Sequence, residues 1–258
     1  MKLNALFPLT ALTLLTAAAR LAAGEVEPGF TSLCDGTTFN GWKPAEEHKG
    51  TWKIEDGAFV AHGDRCHLFY VGDPKSFKNF DLKVDVMTQP GSNGGIYFHT
   101  KYQPEGWPKA GFESQVNNTH SDPIKTSSLY GLVNIFQSPA HDNEWWTQEI
   151  IVKAHSVTVL VDGKKVFEYN EPPGAQPGGD FFRKLGEGTF ALQGHDPKAL
   201  SATKTFGSNG WSRWERGGEL KPWSFAGFRR HRIPPLRFYF TNVRTWLNSL
   251  LPTCSRSS

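Results

Sequence analysis

The residues best suited to chemistry lie in two stretches of this sequence, 91–99 and 111–117. In both stretches apolar and polar residues alternate, which is how a β-strand turns one face to a core and the other to solvent or a ligand. The polar faces carry a phenol, an imidazole, a carboxylate and two amides: Tyr97, His99, Glu113, Gln115 and Asn117. If both faces lie on the same side of one sheet, these groups converge. The pattern therefore predicts a site.

Glu113 is the first candidate for a catalytic base. It lies between aromatic and amide neighbours, and burial in a partly dry cleft raises the pKa of a carboxyl towards that of a useful base. His195 follows Gln193 at the strand spacing of two and precedes Asp196, so it can line the same face while a carboxylate orients its ring. His99 is the third candidate. A solvated carboxylate is the alternative for Glu113, and ordinary hydrogen-bonded imidazoles are the alternatives for the two histidines.

The elements around these groups read as short strands joined by turns. Residues 80–87 alternate strictly, which predicts a strand with four inward side chains: Phe80, Leu82, Val84 and Val86. Residues 129–135 read as another strand. Hairpin-type turns are indicated at Asp35-Gly36, Asp56-Gly57 and Asp162-Gly163. No stretch between residues 29 and 199 sustains the apolar period of a helix, so we expect an all-β sandwich or barrel.

The composition and the N-terminal segment indicate what kind of protein this is. The chain has 258 residues, 13% of them aromatic and 26 of them glycine, which suits one sizeable β-rich domain. Residues 1–24 are predicted to be a secretory signal, because Lys2 is followed by an apolar run and then by small residues, with cleavage between Ala19 and Gly24. We therefore expect export to the periplasm or the extracellular space. No later segment is long and apolar enough to cross a membrane.

Eight short motifs in a fixed order give this sequence a family resemblance. They are GFTSLCDG with GW (29–42), WKIEDG (52–57), FKNF (77–80), NGGIYFH (93–99), GFESQ (111–115), EW (144–145), VDGK (161–164) and ALQGHDP (191–197). On these motifs the chain resembles the bacterial 3-keto-disaccharide hydrolase family, which implies a concanavalin-A-like jelly-roll β-sandwich. Gly94 stands where the family usually has Ser and Cys34 where it usually has Phe. Neither departure removes a candidate catalytic group.

The resemblance also implies a substrate sugar already oxidised to a ketone at C3. The ketone acidifies the C2 proton, so a base can form an enolate, the C1 substituent leaves by elimination, and water then adds. Such a reaction needs a base, an enolate stabiliser and a proton donor. The predicted base is Glu113 or His195, and the groups that could polarise the oxygen are His99, Tyr97 and Gln115. Paired hydrolase carboxylates, Glu113 with Asp196, are the rival mechanism.

Amides and aromatic rings complete the predicted binding site. Side chains suited to hydrogen-bonding sugar hydroxyls or stacking on a sugar ring are Asn93, Tyr97, Gln115, Asn117, Gln193, Asp196, Trp107 and Trp146. Of the two adjacent tryptophans, Trp145 is predicted to lie in the core. Three histidines with Glu113 and Asp196 could hold a divalent metal ion, but their spacing specifies no metal.

The last part of the chain breaks the family pattern. Residues 200–258 hold ten Lys or Arg against two Asp or Glu, in a chain whose net charge is +3. The family implies a closing strand of the type Tyr-Lys-Asn-Ile-x-Val here. Codons for Ala199 to Trp211 can be chosen so that the same bases, read from the third one, encode Thr-Val-Cys-Tyr-Lys-Asn-Ile-Arg-Val. We therefore predict a signal at 1–24, a sandwich at 25–199, and a frameshifted, disordered tail at 200–258.

Two other classes of function fit the sequence. A non-catalytic, lectin-like carbohydrate-binding module on the same sandwich would bind unoxidised glycans and be indifferent to Glu113→Gln. An envelope-associated structural protein would use the basic tail, which the frameshift hypothesis weakens. The predicted partner is a sugar, with no nucleic acid and no stable membrane insertion after signal cleavage.

Overall fold

The computed structural model describes residues 27–178 and 181–210, with the backbone alone for residues 205–210. The predicted signal segment at 1–24 lies outside the described residues. Within them, no helix has the length and apolar character needed to span a bilayer. The described elements are β1 (Thr31–Ser32), β2 (Trp42–Pro44), a 3-10 helix (Lys49–Thr51), β3 (Trp52–Glu55), β4 (Ala58–Ala61), β5 (Cys66–Tyr70), β6 (Phe80–Thr88), β7 (Gly94–Thr100), β8 (Phe112–Val116), β9 (Trp146–Lys153), β10 (Ser156–Val161), β11 (Lys164–Asn170), β12 (Thr189–Gly194) and β13 (Ser201–Gly210).

The strands form two antiparallel sheets. The outer sheet has the order β11-β10-β9-β6-β13-β4-β3, with β1 also paired to β13. The second sheet, which we call the site sheet, has the order β2-β5-β12-β7-β8. The two sheets pack through their apolar faces. The predicted fold class is therefore confirmed: the protein is an all-β, concanavalin-A-like jelly-roll sandwich.

Apolar side chains from both sheets fill the space between them. On β6 the four side chains predicted to point inward have no exposed surface: Phe80, Leu82, Val84 and Val86. From the site sheet, Phe98 and Phe112 stack with their ring centroids 5.4 Å apart. Burying one large apolar side chain contributes about 1.5–3 kcal/mol. Because a slip of one residue would expose this whole face, the core also fixes which residues of β7 and β8 point away from it.

Backbone conformations typical of turns account for the predicted hairpin at Asp162-Gly163 and for the absence of the strand predicted at residues 129–135. β10 and β11 are joined at Asp162 and Gly163, whose φ angles of 48° and 71° are those of a type I′ turn. The strand predicted at residues 129–135 is wrong. Gly131 has a φ of 76°, and the segment folds back on itself as a turn instead of extending along a sheet.

The outer sheet continues into the segment predicted to be a disordered tail. β13 pairs with β6 from Ser201 to Gly210 and with β4 from Ser201 to Thr203. The predicted boundary at residue 199 therefore falls one strand too early. Sheet pairing is made by backbone groups, so a segment with little side-chain alternation can still fill the gap between two strands that lack a partner. The remainder of the predicted tail, residues 211–258, lies outside the described residues.

Candidate active site

A cleft of about 210 Å³ opens on the face of the site sheet that points away from the core. Its floor comes from β7, β8 and β12. The β7–β8 register places Tyr97 opposite Glu113, and β12 adds Gln193 beside them. The residues that line the cleft are Asn93, Tyr97, Trp107, Glu113, Gln115, Asp122, Tyr130, Phe181, Arg183, Gln193 and His195. Strand alternation thus brings together the central polar residues that the sequence pattern predicted.

Glu113 is held at the bottom of this cleft by two neutral donors. Tyr97 donates its hydroxyl to Glu113 Oε2 at 2.7 Å, and Gln193 Nε2 donates to Glu113 Oε1 at 3.0 Å. Only 6% of Glu113 is exposed. Burial raises the pKa of Glu113 to about 7, although the hydrogen bond from Tyr97 and the charge of Arg183 act in the opposite direction. A carboxyl with a pKa near neutrality can both accept and return a proton.

Gln115 adds a third polar contact to Glu113. With its amide oriented to satisfy the acceptors around it, the amide nitrogen donates to Glu113 Oε1 at 3.1 Å and to the Gly94 carbonyl at 2.9 Å. This contact suits an ionised Glu113, because a carboxylate only accepts hydrogen bonds.

Gly95 leaves the space that the Glu113 carboxyl occupies. It lies opposite Gln115 in the β7–β8 ladder. A Cβ atom at Gly95 would collide with the Oε1, Cγ and Cδ atoms of Glu113. Because Tyr97 and Gln193 fix the carboxyl from other sides, a larger residue at position 95 would push it out of place.

His195 stands at the cleft wall as a histidine–aspartate pair. Its Nδ1 lies 2.6 Å from Asp196 Oδ2, and its Nε2 lies 3.3 Å from Asn93 Nδ2. The ring of Trp107 packs against the imidazole with 5.3 Å between ring centroids. Asp196 also accepts backbone N–H groups of the following turn, so it orients His195 and does not itself line the cleft.

The structure places His99 outside the cleft, which corrects its prediction as a catalytic residue. A φ of 53° at His99 interrupts the alternation of β7, so its side chain does not continue the face of Tyr97. Its Nδ1 accepts the Gly186 N–H at 3.3 Å, and its Nε2 lies 3.0 Å from the carbonyl of Lys78. Burial lowers the pKa of His99 to about 4, so the ring is neutral at physiological pH.

The predicted burial of the two adjacent tryptophans is reversed, and neither lines the cleft. β9 begins at Trp146 and turns it inward, so Trp146 is buried in the core and not available to a ligand. Trp145 precedes the strand and is 40% exposed, with Lys204 Nζ 3.9 Å from its ring centroid.

Asn117 also does not line the cleft. Its side chain donates to the carbonyls of Asp122 and Ile124 and accepts the N–H of His120, so it organises the following loop. The structure therefore places Asn117, predicted to be a binding residue, outside the cleft. β8 ends at Val116, and the alternation that places Glu113 and Gln115 in the cleft ends with it.

Four lining residues come from loops that the sequence pattern did not single out: Asp122, Tyr130, Phe181 and Arg183. No alternation marks the segments of Asp122, Phe181 and Arg183, and Tyr130 lies in the segment wrongly predicted to be a strand. Hydrogen bonds such as Tyr130 N–H to Glu113 O at 3.0 Å and Phe182 N–H to Lys109 O at 2.7 Å bring these loops to the cleft. Among the described residues, no group of three or more His, Cys, Asp or Glu side chains is arranged to hold a metal ion.

The fold and this cleft define a jelly-roll sandwich with a buried carboxyl on the floor of a polar cleft. The chain belongs to the family of 3-keto-alpha-glucoside-1,2-lyase-like domains, whose model matches residues 29–203. A 3-keto-disaccharide hydrolase from Bacteroides thetaiotaomicron is 32% identical over 170 residues. That match covers 55% of this chain and 59% of the relative's length.

Solved structures show the same fold. A candidate glycosyl hydrolase from Parabacteroides distasonis matches with a TM-score of 0.60 and 22% identity, covering 70% of this chain and 94% of its own. A second candidate glycosyl hydrolase from that organism matches with a TM-score of 0.52 and 21% identity, covering 66% of this chain and 98% of its own.

Proposed function

We propose that this protein cleaves glycosides whose sugar carries a ketone at C3. The observation that carries the proposal is the buried Glu113, whose pKa is raised to about 7 at the floor of the cleft. Membership of the 3-keto-alpha-glucoside-1,2-lyase-like family supports the class of substrate. The cleft volume of about 210 Å³ is below the range of roughly 300–1,000 Å³ that is typical for drug-sized ligands, so it suits a single sugar ring.

In the proposed reaction, ionised Glu113 takes the C2 proton of the keto sugar. The electrons of the C2–H bond form an enolate with the C3 oxygen. The enolate then collapses, the bond from C1 to its oxygen substituent breaks, and a C1–C2 double bond forms. Water adds at C1 and a proton returns to C2, so the net result is hydrolysis.

We assign the proton of the leaving group to His195. Asp196 holds one ring nitrogen at 2.6 Å, which leaves the other facing Asn93 at the cleft. A ring nitrogen held at the cleft in this way can carry a proton and deliver it to the departing oxygen. Asn93, Gln115 and Gln193 are proposed to hydrogen-bond the hydroxyl groups of the sugar. The apolar signal-like segment at residues 1–24 supports export as the setting for this activity.

The proposal is tested by incubating the purified chain with chromogenic 3-keto-glucosides and with the parent glucosides. We expect release of the aglycone from the keto substrates alone. Glu113→Gln should lower kcat by about 10²–10⁴-fold, the range that a positioned general base supplies. Glu168→Gln on β11, where the side chain is exposed, is the matched control and should leave the rate unchanged.

Two results would oppose the proposal. Release at an undiminished rate by Glu113→Gln would exclude Glu113 as the base. Absence of turnover by a folded chain that binds unoxidised glucosides would favour the carbohydrate-binding module instead.

A further inference from the structure

Arg183 brings a positive charge to the cleft beside Glu113. It lines the same cleft, and its guanidinium lies over the ring of Phe181, with Cζ 5.0 Å from the ring centroid. Within residues 27–178 and 181–210, no carboxylate forms an ion pair with it. Its charge acts on the floor of the cleft, since it lowers the pKa values of Glu113 and Tyr97 against the effect of burial.

The backbone on both sides of Arg183 is fastened to the site sheet and its loops. Phe182 donates its N–H to Lys109 O at 2.7 Å and accepts the Gly111 N–H at 3.2 Å. Three residues beyond Arg183, Gly186 donates its N–H to His99 Nδ1 at 3.3 Å. Arg183 therefore lies between two anchors, and the neutral His99 has a structural role as one of them.

The proposed reaction creates negative charge that needs such a partner. When Glu113 removes the C2 proton, it becomes neutral and the charge moves to the C3 oxygen of the sugar. A fixed cation in a cleft with little water stabilises a developing oxyanion strongly, and it needs no reorganisation at the moment of reaction. Tyr97 and Gln193 already hydrogen-bond Glu113, so neither is a free donor for this oxygen.

We propose that Arg183 binds the C3 oxygen of the keto sugar and stabilises the enolate that forms there. This inference rests on the proposed function and deepens it, because it assigns the oxyanion partner of the reaction. The same guanidinium could instead bind a fixed anionic group on the substrate, such as a carboxylate. The two roles differ in effect: the first changes kcat on a neutral substrate, and the second changes KM on an anionic one.

The test compares Arg183→Met, Arg183→Lys and Lys184→Met in the full chain, with a neutral 3-keto-glucoside as substrate. Lys184 is the matched control, because it is exposed on the same loop and does not line the cleft. We expect Arg183→Met to lower kcat by about 10²–10³-fold with little change in KM, as for loss of one oxyanion donor. Arg183→Lys should retain part of the rate, and Lys184→Met should match the original chain.

Three outcomes would overturn the proposal, and they can be told apart. An unchanged kcat in Arg183→Met, with normal turnover by the original chain, would reject the role of Arg183 and leave the proposed function standing. A raised KM with unchanged kcat, seen only for a 3-keto-glucuronide, would assign Arg183 to recognition of a carboxylate. No turnover by the original chain would reject the proposed function, and this inference with it.

Discussion

At the scale of single residues, the chemistry of Glu113 is set by what surrounds it. Burial favours the neutral acid, whereas the Tyr97 hydrogen bond, the Arg183 charge and the Gln193 hydrogen bond favour the carboxylate. The balance leaves the pKa of Glu113 at about 7. A base of this kind is largely ionised above neutrality and still strong enough to take an acidified C–H proton.

The first residue-scale prediction concerns pH. Because Glu113 must be ionised to act as a base, kcat/KM should rise with pH through about 7. Tyr97→Phe removes a hydrogen bond that stabilises the carboxylate, so the pKa of Glu113 should rise and this limb should move to higher pH. The measurement is the pH–rate profile of both chains, with Tyr169→Phe on β11 as the control. If the rise of kcat/KM with pH does not shift in Tyr97→Phe, a group other than Glu113 causes it.

The second residue-scale prediction concerns Gly95. An alanine there would push the Glu113 carboxyl away from Tyr97 and Gln193, since the added Cβ and the carboxyl need the same space. We expect Gly95→Ala to lose about 100-fold in kcat, which a displacement of about 1 Å can cost, while the melting temperature changes little. Gly94→Ala is the control, because its Cβ would lie 3.3 Å from the Gln193 carbonyl, 3.8 Å from Ser201 Oγ and 3.9 Å from Val116 Cβ, and none of these atoms belongs to Glu113. Equal activity of the two variants would contradict this account of Gly95.

At the scale of elements, the sequence predicts which side chains share a face of a strand, because strand alternation determines this. It does not predict where an unusual backbone conformation interrupts the alternation. Period two placed Tyr97, Glu113, Gln115 and Gln193 on one face, and the sheet register brings them together. It failed at His99, where a left-handed backbone conformation interrupts the strand. A side chain with φ near 53° is uncommon outside glycine, and no residue-type signal announced it.

Loops were a second limit on prediction from sequence. Arg183 lies in a segment without a period, and Tyr130 lies in a segment wrongly predicted to be a strand. Their positions depend on long-range hydrogen bonds, from Phe182 N–H to Lys109 O and from Tyr130 N–H to Glu113 O. The reversed tryptophans have a simpler cause. Whether Trp145 or Trp146 points inward depends on where β9 begins, and a shift of one residue exchanges the two faces.

The element-scale prediction concerns His67 on β5. Its ring is fully buried beside Tyr97 and Trp107, and both of its nitrogens lack hydrogen-bond partners within the described residues. Burial lowers the pKa of His67 to about 3. In the unfolded chain His67 therefore becomes protonated near pH 6.5, whereas in the folded chain it stays neutral until the pH is near 3. As pH falls from about 6.5 towards 3, this group therefore costs about 1.4 kcal/mol of unfolding free energy per pH unit.

His67→Phe should remove this cost. The variant should be more stable than the original chain at pH 5, and the difference should shrink at pH 8, where only the unpaired ring nitrogens matter. Urea unfolding at both pH values measures this, with the exposed His155→Phe as the control. A stability difference that does not depend on pH would contradict the buried neutral imidazole.

At the scale of the whole molecule, β13 enters the outer sheet with polar side chains at its first inward positions. Among the β13 residues whose side chains are described, Ser201 and Thr203 are buried and line a small pocket with Trp52 and Leu192. Polar groups at core positions and unfilled space both reduce stability. These features fit the hypothesis that the reading frame changes near residue 199.

The whole-molecule prediction is made at the level of the gene. The bases that encode residues 199–211, when read from the third base of codon 199, should encode Thr-Val-Cys-Tyr-Lys-Asn-Ile-Arg-Val. A chain that carries this restored strand should unfold at higher urea than the original chain, because apolar residues replace polar ones in the core. The hypothesis would be rejected if the third bases of these codons do not allow that reading, or if the chain with the restored strand is less stable than the original chain.

The most direct test of base-catalysed elimination by Glu113 is cleavage of a 3-keto-glucoside in D2O, followed by NMR of the first-formed keto sugar. Removal of the C2 proton by Glu113, elimination and addition of water predict deuterium at C2 of the product. Glu113→Gln and free 3-keto-glucose incubated with the protein serve as controls for exchange that does not accompany cleavage. Cleavage with the C2 proton fully retained would contradict the account and favour direct displacement at C1.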